Sequence, residues 1–417
     1  MLTAKLTRRH LLAASTALSF APTVRAFAAP ADPTPSGPIL VSLFLRGGMD
    51  SLAVVAPVDD RNYAADRPPE MRLLADGDKP AIRLDGAPAG LDFRLHPEMG
   101  ALRDLYQSDR IALVHASGIA NGTRSHFGAQ ELIERGIGAP DETSRVSGGW
   151  MARWLAAAGD AKGPAFVVGN GVPEELATHA DAIAAADLRG GMGVPGGRPT
   201  ATVLGHFYRE GNGAFEQAGR RTLRGINLID SHLREPGGKL MPYQPTGNVT
   251  YDETEIGRGL MTVARVIRMD LGIRAFTVDM GGWDTHENQP GRLSALVGQL
   301  SRALGAFHED LHAQLGNVVL VVMSEFGRRL RSNKSNGTDH GHAGLTIVSA
   351  PRLAGGRLHG AWPGLSSDKL DNAVDLALTT DVRSILAELM TGPLATPQAP
   401  AAVFPGFKPQ HVGLLAT

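Results

Sequence analysis

The stretch GNVVLVVMSEFGRRLRSNKSNGTDHGHAG, Gly316–Gly344, combines a strand pattern with a concentration of titratable side chains. Its opening apolar run is short and β-branched, which is typical of a buried strand in a parallel sheet. Glu325 follows at once, and a polar loop then presents Asp339, His340 and His342 before a second apolar run. Because ligand and catalytic groups gather beyond the carboxyl ends of such strands, the stretch predicts a metal or proton-transfer site.

Strand and helix patterns alternate along the rest of the chain. Strands are predicted at 39–46, 111–115, 165–168, 275–278, 318–323 and 345–350, and helices at 97–106, 127–135, 150–158, 260–271, 292–315 and 371–390. This alternation predicts an α/β fold with a mostly parallel central sheet flanked by helices. Residues from about 170 to 257 are less regular and are interpreted as an insertion, a candidate lid over the site.

The composition is that of a globular protein without a strong charge. Of 417 residues, 43% are hydrophobic and 20% charged, too apolar a mixture for disorder. The 41 Lys and Arg balance 42 Asp and Glu, so no overall field favours nucleic acid or an anionic membrane. The absence of cysteine excludes disulfides, thiolate metal sites and cysteine nucleophiles. The sequence gives no indication of the oligomeric state.

The amino terminus has the pattern of an export signal. Arg8 and Arg9 precede a weakly apolar region, and a small-x-small cleavage site lies at 26–28. We therefore predict a twin-arginine signal peptide at residues 1–28; the alternative is a chance arginine pair. A single periplasmic or secreted domain is expected from 29–417. No later run approaches the roughly 20 apolar residues of a spanning helix, so no membrane span is expected.

Acidic and imidazole side chains also follow two other predicted strands. Asp50 comes directly after two glycines at the end of the first strand, where a metal ligand and a turn or helix-capping aspartate are equally open. Asp284 and His286 follow a Gly-Gly turn and share a side if the loop is extended. A carboxylate and an imidazole suit Zn, Mn or Fe, although a capping aspartate in a polar loop is the alternative. A right-handed crossover would bring this pair near Glu325.

Ser125 begins a predicted helix between Arg124 and His126. Backbone N–H groups at a helix start favour an anion, so Ser125 is a candidate nucleophile with Arg124 or His126 beside the oxyanion. The alternative is that Ser125 only caps the helix.

Six short motifs spread over nearly the whole chain after the signal peptide can be considered together. They are Leu45-Arg46-Gly47-Gly48-Met49-Asp50, Arg124-Ser125-His126-Phe127, Gly281-Gly282-Trp283-Asp284-Thr285-His286, Ser324-Glu325-Phe326-Gly327-Arg328, Gly337-Thr338-Asp339-His340-Gly341 and Thr380-Asp381-Val382-Arg383. In this order they resemble the bacterial domain-of-unknown-function family 1501, which is usually exported by the twin-arginine route and has no settled activity.

The same plan resembles, more distantly, the alkaline phosphatase and sulfatase superfamily. That resemblance implies an alkaline phosphatase-like fold, a divalent metal such as Zn, Mn or Ca, and a hydroxyl nucleophile. The matching positions are Asp50, Ser125, Asp284, His286, Glu325 and either His340 or His342. The superfamily's usual Asp-His after the later strand is Glu325-Phe326 here, which removes one imidazole and leaves a single metal ion, or none, as alternatives to two.

The sequence therefore predicts an exported metal-dependent hydrolase of phosphate or sulfate esters acting on a small anionic ester or a polymer. The expected metal ligands are Asp50, Asp284, His286, Glu325, Asp339 and His340, with Ser125, Arg124 and His126 as catalytic groups. The alternative from another class is a non-catalytic extracytoplasmic binding protein on a degenerate hydrolase scaffold. A serine esterase is less favoured, because no Gly-x-Ser-x-Gly elbow surrounds the serine.

Overall fold

A central sheet organises the protein. The computed structural model describes residues 37–88, 90–159, 164–247, 249–396 and 398–416, and the predicted signal peptide at 1–28 lies outside them. The strands are β1 Ile39–Leu45, β2 Val55–Pro57, β3 Ile82–Arg83, β4 Phe93–Leu95, β5 Ala112–Gly118, β6 Ala165–Val168, β7 Ala182–Ala185, β8 Ala275–Met280, β9 Val318–Met323, β10 Gly344–Ser349, β11 Leu358–His359 and β12 Thr380–Asp381.

Ten α-helices accompany these strands in the described part of the chain. They are α1 Ser51–Val54, α2 Arg61–Asp66, α3 Gly100–Gln107, α4 His126–Arg135, α5 Trp150–Ala157, α6 Gly197–Arg209, α7 Ala214–His232, α8 Glu255–Arg268, α9 Gln289–Asp310 and α10 Val382–Thr391. None of the helices within the described ranges is long and apolar enough to span a membrane.

The strand order places the ends of distant strands at one edge. The main sheet runs β11-β5-β10-β9-β1-β8-β6-β7, with β12 also pairing with β5, and β2, β4 and β3 form a separate small sheet. The main-sheet pairs are parallel except the two that β10 makes with β5 and β9. Because β10 runs the opposite way, the residues before it meet the residues that follow β1, β8 and β9.

The central strands are buried on both faces. In β9, Val318, Leu320 and Val322 pack into one hydrophobic core, while Val319 and Val321 pack into the other. Alternate side chains point to opposite faces, so a strand between two helical layers must be apolar throughout. The first core includes α3, α8 and α9 and the second includes α4, α5 and α10. The predicted α/β fold with a mostly parallel sheet is confirmed.

The prediction of a helix over 371–390 was wrong for the first half of this range. Helix α10 begins only at Val382, after β12 has paired with β5. Asp381 caps α10, accepting a hydrogen bond from the backbone N–H of Arg383 at 2.9 Å. Before α10, the chain is an irregular connection in which Leu376 is buried and Leu378 is partly buried, so these apolar residues do not mark a helix. The less regular region at about 170–257 contains β7, which extends the central sheet; its role as a lid stays a prediction.

Candidate metal centre

Two glycines after β1 form a backbone cradle. Gly47 and Gly48 have φ values of +123° and +73°, a region that favours glycine. A Cβ on Gly47 would lie 2.4 Å from the backbone N of Asp284, so a side chain cannot fit there. The N–H groups of Gly47 and Gly48 donate to the two carboxylate oxygens of Glu325 at 2.9 and 3.1 Å. The segments that follow β1, β8 and β9 are thereby held together.

Glu325 in turn holds the ring of His126. Its Oε1 lies 2.8 Å from Nδ1 of His126 and accepts from Nε2 of Gln130 at the same distance. Burial favours the neutral acid, but hydrogen bonds from backbone N–H groups, Gln130 and His126 outweigh it and lower the pKa of Glu325. An ionised carboxylate only accepts, so Nδ1 of His126 carries a proton. Its Nε2 is buried and has no hydrogen-bond partner among the described residues.

The ring of His340 is fixed in the same tautomer by a different acceptor. Its Nδ1 lies 2.8 Å from the carbonyl oxygen of Arg124, so Nδ1 must donate. Burial is the main reason that the pKa of His340 is lowered, which favours the neutral ring. The lone pair therefore lies on Nε2, which is 3.1 Å from Oδ1 of Asp284.

His286 repeats this arrangement with a carboxylate behind it. Its Nδ1 lies 3.2 Å from Oδ1 of Asp339, which also accepts from Nδ2 of Asn333 at 3.1 Å. Its Nε2 lies 2.9 Å from Nε2 of His340 and 3.1 Å from Oδ1 of Asp284. Both imidazoles thus direct the same ring nitrogen at the same carboxylate.

Asp284 lies at the centre of the three rings. Besides its contacts with His286 and His340, its Oδ2 is 3.5 Å from Nε2 of His126. The buried guanidinium of Arg328 donates to Oδ1 at 2.5 Å. Partial burial raises the pKa of Asp284, but the hydrogen bond from Arg328 and the charge of Arg328 outweigh it and lower the pKa to about 2. The central carboxylate is therefore ionised at neutral pH.

Three of these side chains have the spacing that a single metal ion requires, and the fourth, His286, lies beside them. Ligand atoms of His126, Asp284 and His340 lie within 4.8 Å of one another, and Nε2 of His286 adjoins two of them. Bonds of 2.0–2.1 Å in a tetrahedral site separate neighbouring ligand atoms by about 3.3 Å, close to the contacts described above. Metal-binding histidines usually donate their other N–H to a carboxylate or backbone carbonyl, and all three histidines are held in this way.

Asp50 does not join this cluster. Its two carboxylate oxygens accept from the guanidinium of Arg67 at 2.8 and 2.9 Å, and Oδ2 also accepts from Nε2 of Gln289 at 2.6 Å. The imidazole of His126 separates Glu325 from Asp284. The structure therefore does not bring Asp50, Asp284 and Glu325, all predicted as ligands, around one point: Asp50 and Glu325 accept hydrogen bonds from other donors.

Of His340 and His342, between which the sequence did not decide, only His340 lies in the cluster. Both nitrogens of His342 face acceptors, with Nδ1 2.8 Å from Oδ2 of Asp371 and Nε2 2.9 Å from the carbonyl oxygen of Ile119. No lone pair of His342 is directed at the cluster. Asp339, predicted as a ligand, lies behind His286 and contacts its Nδ1.

The predicted catalytic residues lie beside the cluster. Ser125 precedes α4, and its exposed Oγ accepts from the N–H of Gly128 at 3.5 Å, as a helix-capping serine does. Arg124 pairs with the buried carboxylate of Asp375. His126, predicted to contact a substrate anion, instead directs Nε2 at Asp284. No local spacing connects His126 with a carboxylate so distant in the chain, so sequence reasoning missed this contact.

The fold and the site define an α/β protein with three histidines grouped around one aspartate. The model of a family described as "Protein of unknown function (DUF1501)" matches residues 245–391. This range includes Asp284, His286 and His340 but not His126. No curated protein sequence matches the chain.

Three solved structures show a weak similarity to the chain. The structure of Ps i-CgsB with k-i-k-neocarrahexaose is 9% identical over 85% of this chain and 72% of that one, with a TM-score of 0.38. The C-terminal periplasmic domain of EcEptC from Escherichia coli with Zn is 8% identical over 79% and 77%, with a TM-score of 0.35. The lipoteichoic acid synthase LtaP from Listeria monocytogenes is 9% identical over 81% and 71%, with a TM-score of 0.33. These values are too low for residue roles to be transferred.

Proposed function

We propose that this protein is an exported hydrolase of phosphate or sulfate esters that depends on one divalent metal ion. The observation that carries the proposal is the convergence of Nε2 of His126, His286 and His340 on the ionised carboxylate of Asp284. Each Nδ1 faces an acceptor, so each ring turns its Nε2 towards Asp284.

The ligand set narrows the choice of ion. Three imidazoles and one carboxylate suit Zn, Mn or Fe, whereas Ca²⁺ prefers six to eight oxygen ligands. Of the ions expected from the sequence, Zn and Mn therefore fit better than Ca. When bound, such an ion supplies Lewis-acid activation of water or of an ester oxygen.

The chain's own residues prepare this centre. Nδ1 of each ring donates to an acceptor, which is Glu325 for His126, Asp339 for His286 and the carbonyl oxygen of Arg124 for His340. In each neutral ring the lone pair is therefore on Nε2. Arg328 donates to Asp284 and also to the carbonyl oxygens of the Gly47, Gly48, Trp283 and Thr338 backbone. These contacts hold the ligand loops in one arrangement.

Ser125 and Arg124 complete the proposal. Ser125 is adjacent to His126 at the positive end of the ten-residue helix α4, where a nucleophile and an attacked anion are both favoured. The side chain of Arg124 is 34% exposed beside its partner Asp375, and we propose that it contacts the ester anion. A water molecule in place of Ser125 as nucleophile would leave activity in Ser125→Ala largely intact.

The test is metal analysis of the purified mature protein together with a panel of phosphate and sulfate esters. We expect about one transition-metal ion per chain, with metal and ester hydrolysis both lost in His340→Ala and both kept in His411→Ala, whose side chain is 86% exposed. A metal-free protein that hydrolyses esters would contradict the metal role. Stoichiometric metal without turnover of any ester would favour the binding protein instead.

Export is tested separately. Replacing both Arg8 and Arg9 by lysine should leave the full-length protein in the cytoplasm if residues 1–28 form a twin-arginine signal. Fractionation of cells that produce the wild-type and doubly substituted chains would show the difference. Export of both chains at equal levels would exclude the twin-arginine route.

A further inference from the structure

A surface pocket adjoins the metal centre on the side of His286. Its wall includes Asp339, whose carboxylate contacts Nδ1 of His286 at 3.2 Å. His286 therefore lies between the pocket and the proposed ion. The remaining lining residues are Asp66, Arg329, Arg331, Ser332, Leu370, Ala373 and Val374. The pocket therefore joins charged side chains with a small apolar wall.

The two carboxylates in this pocket already accept hydrogen bonds. Oδ1 of Asp66 accepts from the guanidinium of Arg331 at 2.8 and 3.2 Å. Oδ1 of Asp339 accepts from Nδ2 of Asn333 at 3.1 Å and lies 3.2 Å from Nδ1 of His286. Neither carboxylate therefore needs a cation from solvent.

The guanidinium of Arg329 is in the opposite situation. It donates no hydrogen bond to any described residue, and its Nε is buried without a partner. The nearest carboxylate oxygen, Oδ1 of Asp375, lies 3.9 Å from that Nε. Asp375 already pairs with Arg124, so two guanidinium groups share one carboxylate. The charges of the pocket lining balance, with two arginines and two aspartates, but the guanidinium of Arg329 has unused donors.

We propose that this pocket binds an oxyanion of the phosphate or sulfate class through Arg329. The inference deepens the proposed function and rests on it for one part: the bound group would be a second anionic group of the ester substrate. A substrate carrying several phosphate or sulfate groups would place one at the metal centre and a neighbouring one against Arg329. Charge-assisted hydrogen bonds from a guanidinium to such groups are strong and directional.

The binding test uses inorganic sulfate and inorganic phosphate as probes, followed by calorimetry on the full mature protein with its metal. We expect Arg329→Gln to weaken anion binding at least about tenfold, the scale of one charge-assisted hydrogen bond. Arg331→Gln is the matched control, because Arg331 lines the same pocket but is already paired with Asp66; it should bind within about twofold of wild type. Equal binding by the wild type and Arg329→Gln would overturn the proposal.

A second arm separates the pocket from the metal centre. Anion binding should persist in the wild-type protein after removal of its metal by a chelator, and loss of binding there would show that the anion binds the metal and not Arg329. With an ester that carries two anionic groups, Arg329→Gln should raise KM and leave kcat nearly unchanged, while an ester with one such group should be unaffected. Arg329-dependent binding in a protein that hydrolyses no ester would retain the pocket and reject only the hydrolase.

Discussion

Asp50 and Asp284 occupy equivalent positions after parallel strands, yet their surroundings are opposite. The side chain of Asp50 is fully buried, with both oxygens bound to Arg67. The side chain of Asp284 is 47% exposed and is surrounded by ring nitrogens of His126, His286 and His340. Both carboxylates also touch an arginine, since Arg328 donates to Asp284. The difference is that only Asp284 has histidine neighbours, which could bind a metal ion together with it.

This contrast shows that a carboxylate at the end of a strand can have either of two roles. A guanidinium with a matched, bidentate geometry satisfies a buried carboxylate completely, and the result is a structural pair. An imidazole that donates through one ring nitrogen has a lone pair on the other nitrogen, and several such rings around a carboxylate form a ligand cluster. The neighbours, and not the position after the strand, therefore distinguish the two roles.

The largest expected effect is on metal binding. Asp284→Ala should lower metal affinity by more than the roughly 100-fold that changes in outer-shell partners cost, because it removes the ligand that all three histidines face. Equilibrium competition with a chromogenic chelator would measure it. The matched substitution Asp50→Ala should keep metal affinity close to wild type in whatever fraction of the protein remains folded. Equal losses of metal affinity in the two variants would contradict the distinction.

The second effect concerns stability and reverses the order of the two residues. Asp50→Ala leaves the guanidinium of Arg67 buried without its partner, which should lower the free energy of unfolding by about 3–5 kcal/mol. Asp284→Ala should cost much less in the metal-free protein, because Asp284 is half exposed. Urea denaturation of metal-free protein measures both values. The double substitution Asp50→Ala with Arg67→Met should recover part of the loss, since it removes the unpaired charge.

The sequence predicts the scaffold of this site better than its contacts. Apolar runs located β1, β6 and β9, and the residues after them lie at one edge of the sheet as expected. The antiparallel direction of β10, which brings His340 to that edge, has no local signal because it depends on how β5 and β9 pair with it. Likewise, Asp50 could not be separated from Asp284 by sequence, since Arg67 becomes its partner only in the folded chain.

A smaller effect tests the partners behind the histidines. Asp339→Ala removes the acceptor of Nδ1 of His286 and should weaken metal binding about 10–100-fold. Asp371→Ala is the matched control, because Asp371 forms the same kind of pair with His342 outside the cluster. Metal competition on both variants would show whether the effect is specific. A similar loss in Asp371→Ala would mean that carboxylate removal acts through general loosening of the loops.

A third carboxylate, that of Glu175, is buried but has no cationic side chain hydrogen-bonded to it among the described residues, unlike those of Asp50 and Asp284. Glu175 is buried and accepts a hydrogen bond from Oγ of Ser42 at 2.9 Å. Burial, and then the nearby charge of Glu134, raise the pKa of Glu175 to about 8. Between its unfolded pKa near 4.5 and this value, unfolding releases a proton. The contribution of Glu175 to the free energy of unfolding is therefore complete below about pH 4.5 and is lost as the pH rises towards 8.

Glu175→Gln removes this ionisation while preserving the shape of the side chain. The free energy of unfolding of the wild type should fall by about 1 kcal/mol per pH unit in the middle of that window, and the variant should show a flatter profile between pH 5 and pH 8. Glu174→Gln is the control, because that neighbouring side chain is 43% exposed and should leave the wild-type slope unchanged. Parallel wild-type and Glu175→Gln profiles would mean that Glu175 is ionised in the fold, and that burial without a guanidinium does not suffice to keep a carboxyl neutral.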